Sequence, residues 1–389
     1  MKIFRPPLFH SILCLWLLVF GIAGTGQSSE PAGYINLASD LEILRKDFYF
    51  PALASAVIMD GKLHAAGVVG VRKEGSGVKA EIDDPFHLGS CGKAMTASLI
   101  CLLVQEGKLK WETTLAEYFP DLKETMHPDY RKVTLVHLLS HRGGVPGMMD
   151  GWDPLTDEQA ESLRKIKPYR LQRKRMIEIL LSNPPINKPG EEFAYSNPGF
   201  ALAGAIAETV MDQEWEEMIK DKLFRPLGMK TAGFGAMGTS DKIDAPWQHI
   251  VKDGKNIPIN PGPDSDNPFF IAPAGMIHCS ILDWAKYIQC VLKADRGEPG
   301  LLDPKLILPL KEPPFEGDYA LGWSITERSW GEGRVITHAG SNGKNFCVVW
   351  VAPHKNFAVL AAANRGGDSA PEGCDEVCAS MIRKFLIKE

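Results

Sequence analysis

Short runs of β type crowd both ends of this 389-residue chain, and a helical, irregular middle keeps them apart. Near the N-terminus, residues 54–59 and 62–70 flank Asp60-Gly61, which reads as two strands joined by a hairpin turn. Near the C-terminus, residues 320–326, 333–338, 345–352 and 357–363 are further β-type runs parted by turn signals. Helix patterns cover 94–105, 134–139, 171–181, 199–211, 215–223 and 376–386, and another ends near 41–48. Residues 235–266 are rich in Gly, Pro, Asn and Asp and read as long loops. One sheet assembled from both ends accommodates this order, with the middle set aside as a second lobe. The expected fold class is therefore α+β, a central antiparallel sheet flanked by helices with a mostly helical second lobe. Residues 35–386 are expected to form one domain. Its α/β lobe would comprise about 35–105 and 270–386, and its helical lobe about 106–269. The cleft between two lobes is a natural binding site.

The first 26 residues stand apart. Lys2 and Arg5 precede an apolar run over 8–22, small residues follow at Ala23, Gly24 and Gly26, and polar residues come next. That order is expected of a cleaved secretory signal peptide, with Gly24 or Gly26 near the cleavage point. A periplasmic or extracellular location follows, with no membrane attachment after cleavage. A short anchor is the alternative, but the run is interrupted by Ser11 and Gly21. The chain is 44% hydrophobic and 23% charged, ordinary for a folded soluble protein. A formal net charge of −5 offers nothing to nucleic acid. Seven cysteines remain after Cys14, an odd number whose pairing cannot be read. No zinc-ligand spacing is present, so no metal and no cofactor are expected. The oligomeric state is left open.

Ser-x-x-Lys occurs four times, at Ser76, Ser90, Ser162 and Ser341. Ser76 lies in a glycine turn, Ser162 on a charged helix face, and Ser341 before Asn-Gly and a strand. Only Ser90 stands between an extended segment and a strongly apolar helix. Positions three apart share a helix face, so Ser90 and Lys93 would point the same way. The positive end of the helix would stabilise developing negative charge. A serine hydroxyl needs a base, and a buried lysine can be one. A simple N-cap serine would look the same.

Two further elements could converge on it. Tyr195-Ser196-Asn197 precedes an apolar helix. A tyrosine can relay protons, and an asparagine can hold both a lysine and a substrate amide. His338-Ala339-Gly340-Ser341 ends a β-type run. A strand there could supply backbone N–H groups to an oxyanion, and Gly340 would permit close approach. Taken singly, Tyr195 also reads as a packed aromatic and His338 as a surface histidine before a turn.

Together, in this order, the three elements resemble the serine β-lactamase and penicillin-binding family, especially its class C and D-alanyl-D-alanine carboxypeptidase branch and esterase relatives. Similar accessory segments include Leu138-Leu-Ser-His141, Pro189-Gly190, Phe224-Arg-Pro-Leu-Gly228, Pro273-Ala-Gly275 and Leu321-Gly-Trp323. The resemblance implies that Ser90 forms an acyl-enzyme while Lys93 and Tyr195 shuttle the proton. It implies that Asn197 and His338 position substrate, and that the Ser90 and Ser341 N–H groups form the oxyanion hole beside Gly340. His141 falls in a segment that is structural by the same resemblance. His-Ala-Gly stands where a class C β-lactamase has Lys-Thr-Gly, which argues against a dedicated β-lactamase. The function expected is that of a secreted serine hydrolase acting on an ester or amide, with a small molecule or peptide as substrate. Specificity is expected in loops around 147–157 and 235–266. Two rivals remain: an α/β-hydrolase with Ser341 as nucleophile, and a non-catalytic binding protein on the same fold.

Overall fold

The computed structural model describes residues 33–147 and 155–387, so the expected signal peptide and most of the 147–157 loop lie outside the described residues. Thirteen strands follow one another among the described residues. They are β1 (Ile35–Asn36), β2 (Ala52–Met59), β3 (Lys62–Gly70), β4 (Phe86–His87), β5 (Gly233–Phe234), β6 (Gln248–Lys252) and β7 (Lys255–Ile259), then β8 (Ile277–Cys279), β9 (Tyr319–Ala320), β10 (Trp323–Arg328), β11 (Gly333–Ser341), β12 (Phe346–Ala352) and β13 (Phe357–Ala363).

Eight of them form the main sheet in the order β1-β3-β2-β13-β12-β11-β10-β9. The two ends of the chain meet at the β2–β13 seam, antiparallel from Phe357 opposite Met59 to Ala363 opposite Leu53. One edge departs from the expected pattern. β1 runs parallel to β3, which makes the sheet mixed rather than wholly antiparallel.

Period-two alternation on β13 divides the core. Ala358, Leu360 and Ala362 join the larger cluster, which includes Trp284, Ile288 and Leu292 of the Ile281–Asp295 helix. Phe357, Val359, Ala361 and Ala363 join the other, with Cys374, Val377 and Met381 of the Ser369–Phe385 helix. Both faces of the sheet are thus covered, and every residue of β13 is buried.

The 235–266 stretch is more ordered than its composition suggests. β6 and β7 form a hairpin through Asp253-Gly254, both at positive φ. β5, further upstream, pairs with β8 in a small three-stranded sheet that also holds β4.

The helical middle of the chain contains the Tyr169–Ser182, Asn197–Met211 and Trp215–Ile219 helices. Arg173 ties all three together from a fully buried position. Its guanidinium bonds both carboxylate oxygens of Glu208 and both of Glu216, and donates to the Phe269 carbonyl at 2.9 Å. The Asn197–Met211 helix starts at Asn197, a candidate site residue, and this knot anchors that helix through Glu208. Removing one partner of a buried ion pair leaves charge uncompensated and costs about 3–5 kcal/mol. Arg173→Ala should therefore lower stability by that order, read as a large drop in melting temperature. An unchanged melting temperature would contradict the structural weight given to the knot.

Candidate active site

Ser90 sits in a tight 3-10 turn, Gly89–Cys91, between β4 and the Gly92–Gln105 helix. That helix is apolar on nearly every side and is buried without a break from Gly92 to Leu103. Its few polar side chains are matched inside: Thr96 Oγ1 donates to the Pro273 carbonyl at 2.7 Å, and Ser98 Oγ meets Tyr287 OH at 2.9 Å. Lys93 is carried in with them, at 0% exposure.

The Lys93 amine has three oxygen neighbours: Ser90 Oγ at 3.1 Å, Asn197 Oδ1 at 2.7 Å and the Ala274 carbonyl at 2.8 Å. The rings of Tyr195 and Phe200 complete its surroundings, with centroids at 4.7 and 5.6 Å. None of these neighbours is a carboxylate. Burial holds the lysine pKa well below its ordinary value, against a weaker opposite pull from Cys91. A neutral amine would give its two N–H bonds to Asn197 and Ala274 and turn its lone pair toward the Ser90 hydroxyl.

Tyr195 OH donates to Ser90 Oγ at 2.7 Å. Burial pushes the phenol pKa up, and the hydrogen bond to Ser90 only partly opposes this. Tyr195 is thus a protonated donor in this arrangement, and Lys93 is the better base.

The turn that presents Tyr195 is held on both sides. Ser196 caps the Asn197–Met211 helix, accepting from the Gly199 N–H at 2.9 Å and donating to the Pro146 carbonyl at 2.8 Å. His141, held at φ +60°, accepts the Ser196 N–H on Nδ1 at 3.0 Å. Its ring lies 4.3 Å from that of Tyr195, and its backbone carbonyl accepts from Ala194 N–H at 2.8 Å. Burial drives its pKa well down, so it braces the tyrosine as a neutral ring. Spacing alone gave no reason to bring His141 this close.

The third element is the end of β11. His338 is buried, and both its nitrogens are engaged: Nδ1 faces the Ala339 carbonyl at 2.6 Å and Nε2 faces Tyr319 OH at 2.9 Å. Tyr319 was not singled out from the sequence, and no motif marks it. A substrate group could reach Nε2 only by displacing that phenol.

Gly340 lies against a backbone neighbour that the sequence did not suggest. A Cβ there would overlap the Leu88 carbonyl and lie 2.9 Å from the amide nitrogens of Ser90 and Cys91. The missing side chain makes room for the Gly89–Cys91 turn. Gly89, at φ +46°, meets the same crossing from the other side, where a Cβ would overlap the Ser341 amide. Cys91 reinforces it, its thiol 3.3 Å from the His338 carbonyl. The backbones at Ser90 and Ser341 therefore meet at this crossing.

The Ser341 hydroxyl is occupied by its own turn, donating to the Asn345 carbonyl at 2.8 Å and accepting the Gly343 N–H at 2.9 Å. A strand, β12, follows it, and β11 pairs antiparallel with both of its neighbours, β10 and β12. The α/β-hydrolase alternative needs a strand-turn-helix around the nucleophile and is set aside.

A family profile described as Beta-lactamase matches residues 42–376. The chain belongs to the beta-lactamase family. Penicillin-binding protein 4 of Amycolatopsis lactamdurans is 29% identical over 352 residues, covering 86% of each chain. Protein flp of Staphylococcus aureus strain MW2 is 23% identical over 336 residues, covering 86% of this chain but only 64% of flp. Among solved structures, the octameric penicillin-binding protein homologue from Pyrococcus abyssi superposes with a TM-score of 0.70 at 24% identity, over 90% of this chain and 78% of that one. SurE gives 0.71 at 21% identity, over 90% and 75%. These likenesses agree with the mixed sheet and flanking helices of this beta-lactamase family member. Among its described residues, no helix is long and apolar enough to cross a membrane.

The glycine crossing yields a direct test. Gly340→Ala forces β11 away from the nucleophile turn, and overpacking of this kind costs about 1–3 kcal/mol. It should also strip the protein of reactivity toward a fluorophosphonate. A Gly340→Ala protein labelled at the parent rate would show that the crossing tolerates a methyl group.

Proposed function

We propose that this protein is an exported serine hydrolase that acts through an acyl-enzyme on an ester or amide, of the esterase or D-amino-acid peptidase type. One observation carries the reading: a serine hydroxyl lies within hydrogen-bond reach of both a buried amine without a carboxylate partner and a protonated phenol. Ser90 Oγ attacks the substrate carbonyl and its proton passes to Lys93. The oxyanion forms between the N–H groups of Ser90 and Ser341. Tyr195 gives its proton to the departing oxygen or nitrogen and is reprotonated from Lys93. Water then attacks the acyl-enzyme by the same route in reverse. Asn197 holds the amine in place and reaches the substrate amide.

The third element favours an uncharged acyl substrate. Both His338 nitrogens already have protein partners, so it is poorly placed to hold a substrate carboxylate. Membership of the beta-lactamase family supports hydrolysis in general, and the basic-apolar-small order of residues 1–26 supports export. A binding protein on this fold is the second reading, but it gives no reason to keep an unpaired amine beside Ser90.

Ser90→Ala should abolish both fluorophosphonate labelling and turnover of a p-nitrophenyl ester while leaving the melting temperature near that of the parent. Ser341→Ala should keep its labelling. Lys93→Ala should lose about as much as Ser90→Ala, since members of one catalytic unit are not additive. Tyr195→Phe should lose about 100-fold or more, the range of a proton donor. Failure of the wild type to react with either probe would favour the binding reading. The pH profile has a fixed sign. A base with a depressed pKa works above that pKa, so kcat/KM falls as pH drops through it. The acid limb should lie well below the ordinary lysine value of about 10.4, and a limb near that value would contradict the assignment.

A further inference from the structure

The end of the 235–266 stretch does not reach into solvent. Asp266 is buried and bonds side chains of two other segments, which continue to Ser90 and to Ser341. Its Oδ2 lies 2.8 Å from His87 Nε2, with both side chains almost wholly excluded from water. His87 Nδ1 accepts the N–H of Gly89 at 3.1 Å. A nitrogen that accepts an N–H carries no proton, so the ring proton sits on Nε2 and points at Asp266. The other oxygen, Oδ1, accepts from Asn342 Nδ2 at 2.9 Å and from the Asn267 N–H at 2.8 Å.

Asn342 in turn shapes the turn after Ser341. Its Oδ1 accepts the N–H groups of Lys344 and Asn345, each at 3.1 Å. Gln248 Oε1 accepts from Asn342 at 2.6 Å and from Asn345 at 2.7 Å, which holds the turn from the β6 side. Gly89 immediately precedes Ser90, and Asn342 immediately follows Ser341. One carboxylate therefore holds, through one side chain each, the residue before the first amide and the residue after the second.

We propose that Asp266 is a positioning residue that sets the spacing and aim of the Ser90 and Ser341 N–H groups, acting through His87 on one side and Asn342 on the other. The inference rests on the hydrolase reading, because it assigns those amides to the oxyanion. Only a carboxylate accepts on both sides at once. Asparagine has the same shape but must turn an NH2 group toward either the His87 N–H or the Asn342 NH2, setting donor against donor.

The test compares Asp266→Asn with wild type in two ways. Steady-state kinetics on a p-nitrophenyl ester should show kcat reduced about 10- to 100-fold, approaching the loss of one oxyanion donor, with KM within about twofold because substrate binding is untouched. Hydrogen–deuterium exchange should rise in peptides covering both 86–91 and 338–345, and stay unchanged in the Ser369–Phe385 helix. Unchanged kcat, a loss that falls on KM, or faster exchange in only one of the two segments would overturn the proposal. Should Asp266→Asn fail to fold, Asn342→Ala removes one arm of the clamp, and its kcat should fall with faster exchange across 338–345. Parent-like kcat and exchange in that variant would overturn the proposal too. A wild-type protein inert to ester and fluorophosphonate alike would sink the hydrolase reading by itself. Exchange alone then judges the clamp: loosening of both segments upholds it, and silence in either one overturns it.

Discussion

An amine carried to zero exposure must give up its hydration, and Lys93 does so without a carboxylate among its neighbours. Three neutral oxygens and two ring faces replace the water. Such surroundings solvate a charge poorly, and the neutral form gains on the charged one. Much of the local architecture follows from this. The Gly92–Gln105 helix has to be buried all round to keep water away. The Asn197 amide and the Ala274 carbonyl have to point inward, because an unmatched N–H there would be costly. A carboxylate in place of either would pair with the amine and keep it charged, which would rule out the proposed use as a base.

A base is useful only if the charge it helps create is received elsewhere. In the proposed mechanism the crossing of the Gly89–Cys91 turn with β11 performs that part. Gly89 and Gly340 let two backbones approach more closely than any side chain would allow, and the backbones at Ser90 and Ser341 meet there. Backbone contact alone does not fix an angle. The Asp266 carboxylate, reaching both flanks through His87 and Asn342, supplies rigid reference points, and the Arg173 knot steadies the helix that presents Asn197. The site is therefore a meeting of separately anchored segments, each held by buried polar contacts outside the cleft.

How much of this could be read in advance depended on the kind of signal. Strands at both chain ends announced one sheet, because the hairpin at Asp60-Gly61 and the β-type runs after 320 have local patterns. Ser90, Lys93, Tyr195 and Asn197 were legible from their order along the chain, although each motif alone was ambiguous. The β6–β7 hairpin reads as loop from a composition rich in Gly, Pro, Asn and Asp, though Asp253-Gly254 is the same turn signal as Asp60-Gly61. The Ile281–Asp295 helix went unremarked although Ile281, Trp284, Ala285, Ile288 and Leu292 mark one face at helical spacing. Tyr319, His87 and Asp266 had no local signal, and His141 stood out only as part of a segment that is structural by resemblance. Their roles come from partners more than fifty residues away in three of the four cases, and no spacing rule reports such pairings. Gly340 was legible as a place of close approach, but a sequence does not show that the Leu88 carbonyl and the Ser90 and Cys91 amides are the backbone atoms that need the space.

The protonation state of Lys93 can be observed directly. Lysine labelled with carbon-13 at Cε reports its own titration by NMR, and comparison with Lys93→Arg assigns the Lys93 signal. A Cε signal that titrates far below those of the surface lysines is the expected result. A Lys93 signal that titrates together with them would mean that the buried amine keeps its charge, and the proton acceptor for Ser90 would have to be sought elsewhere.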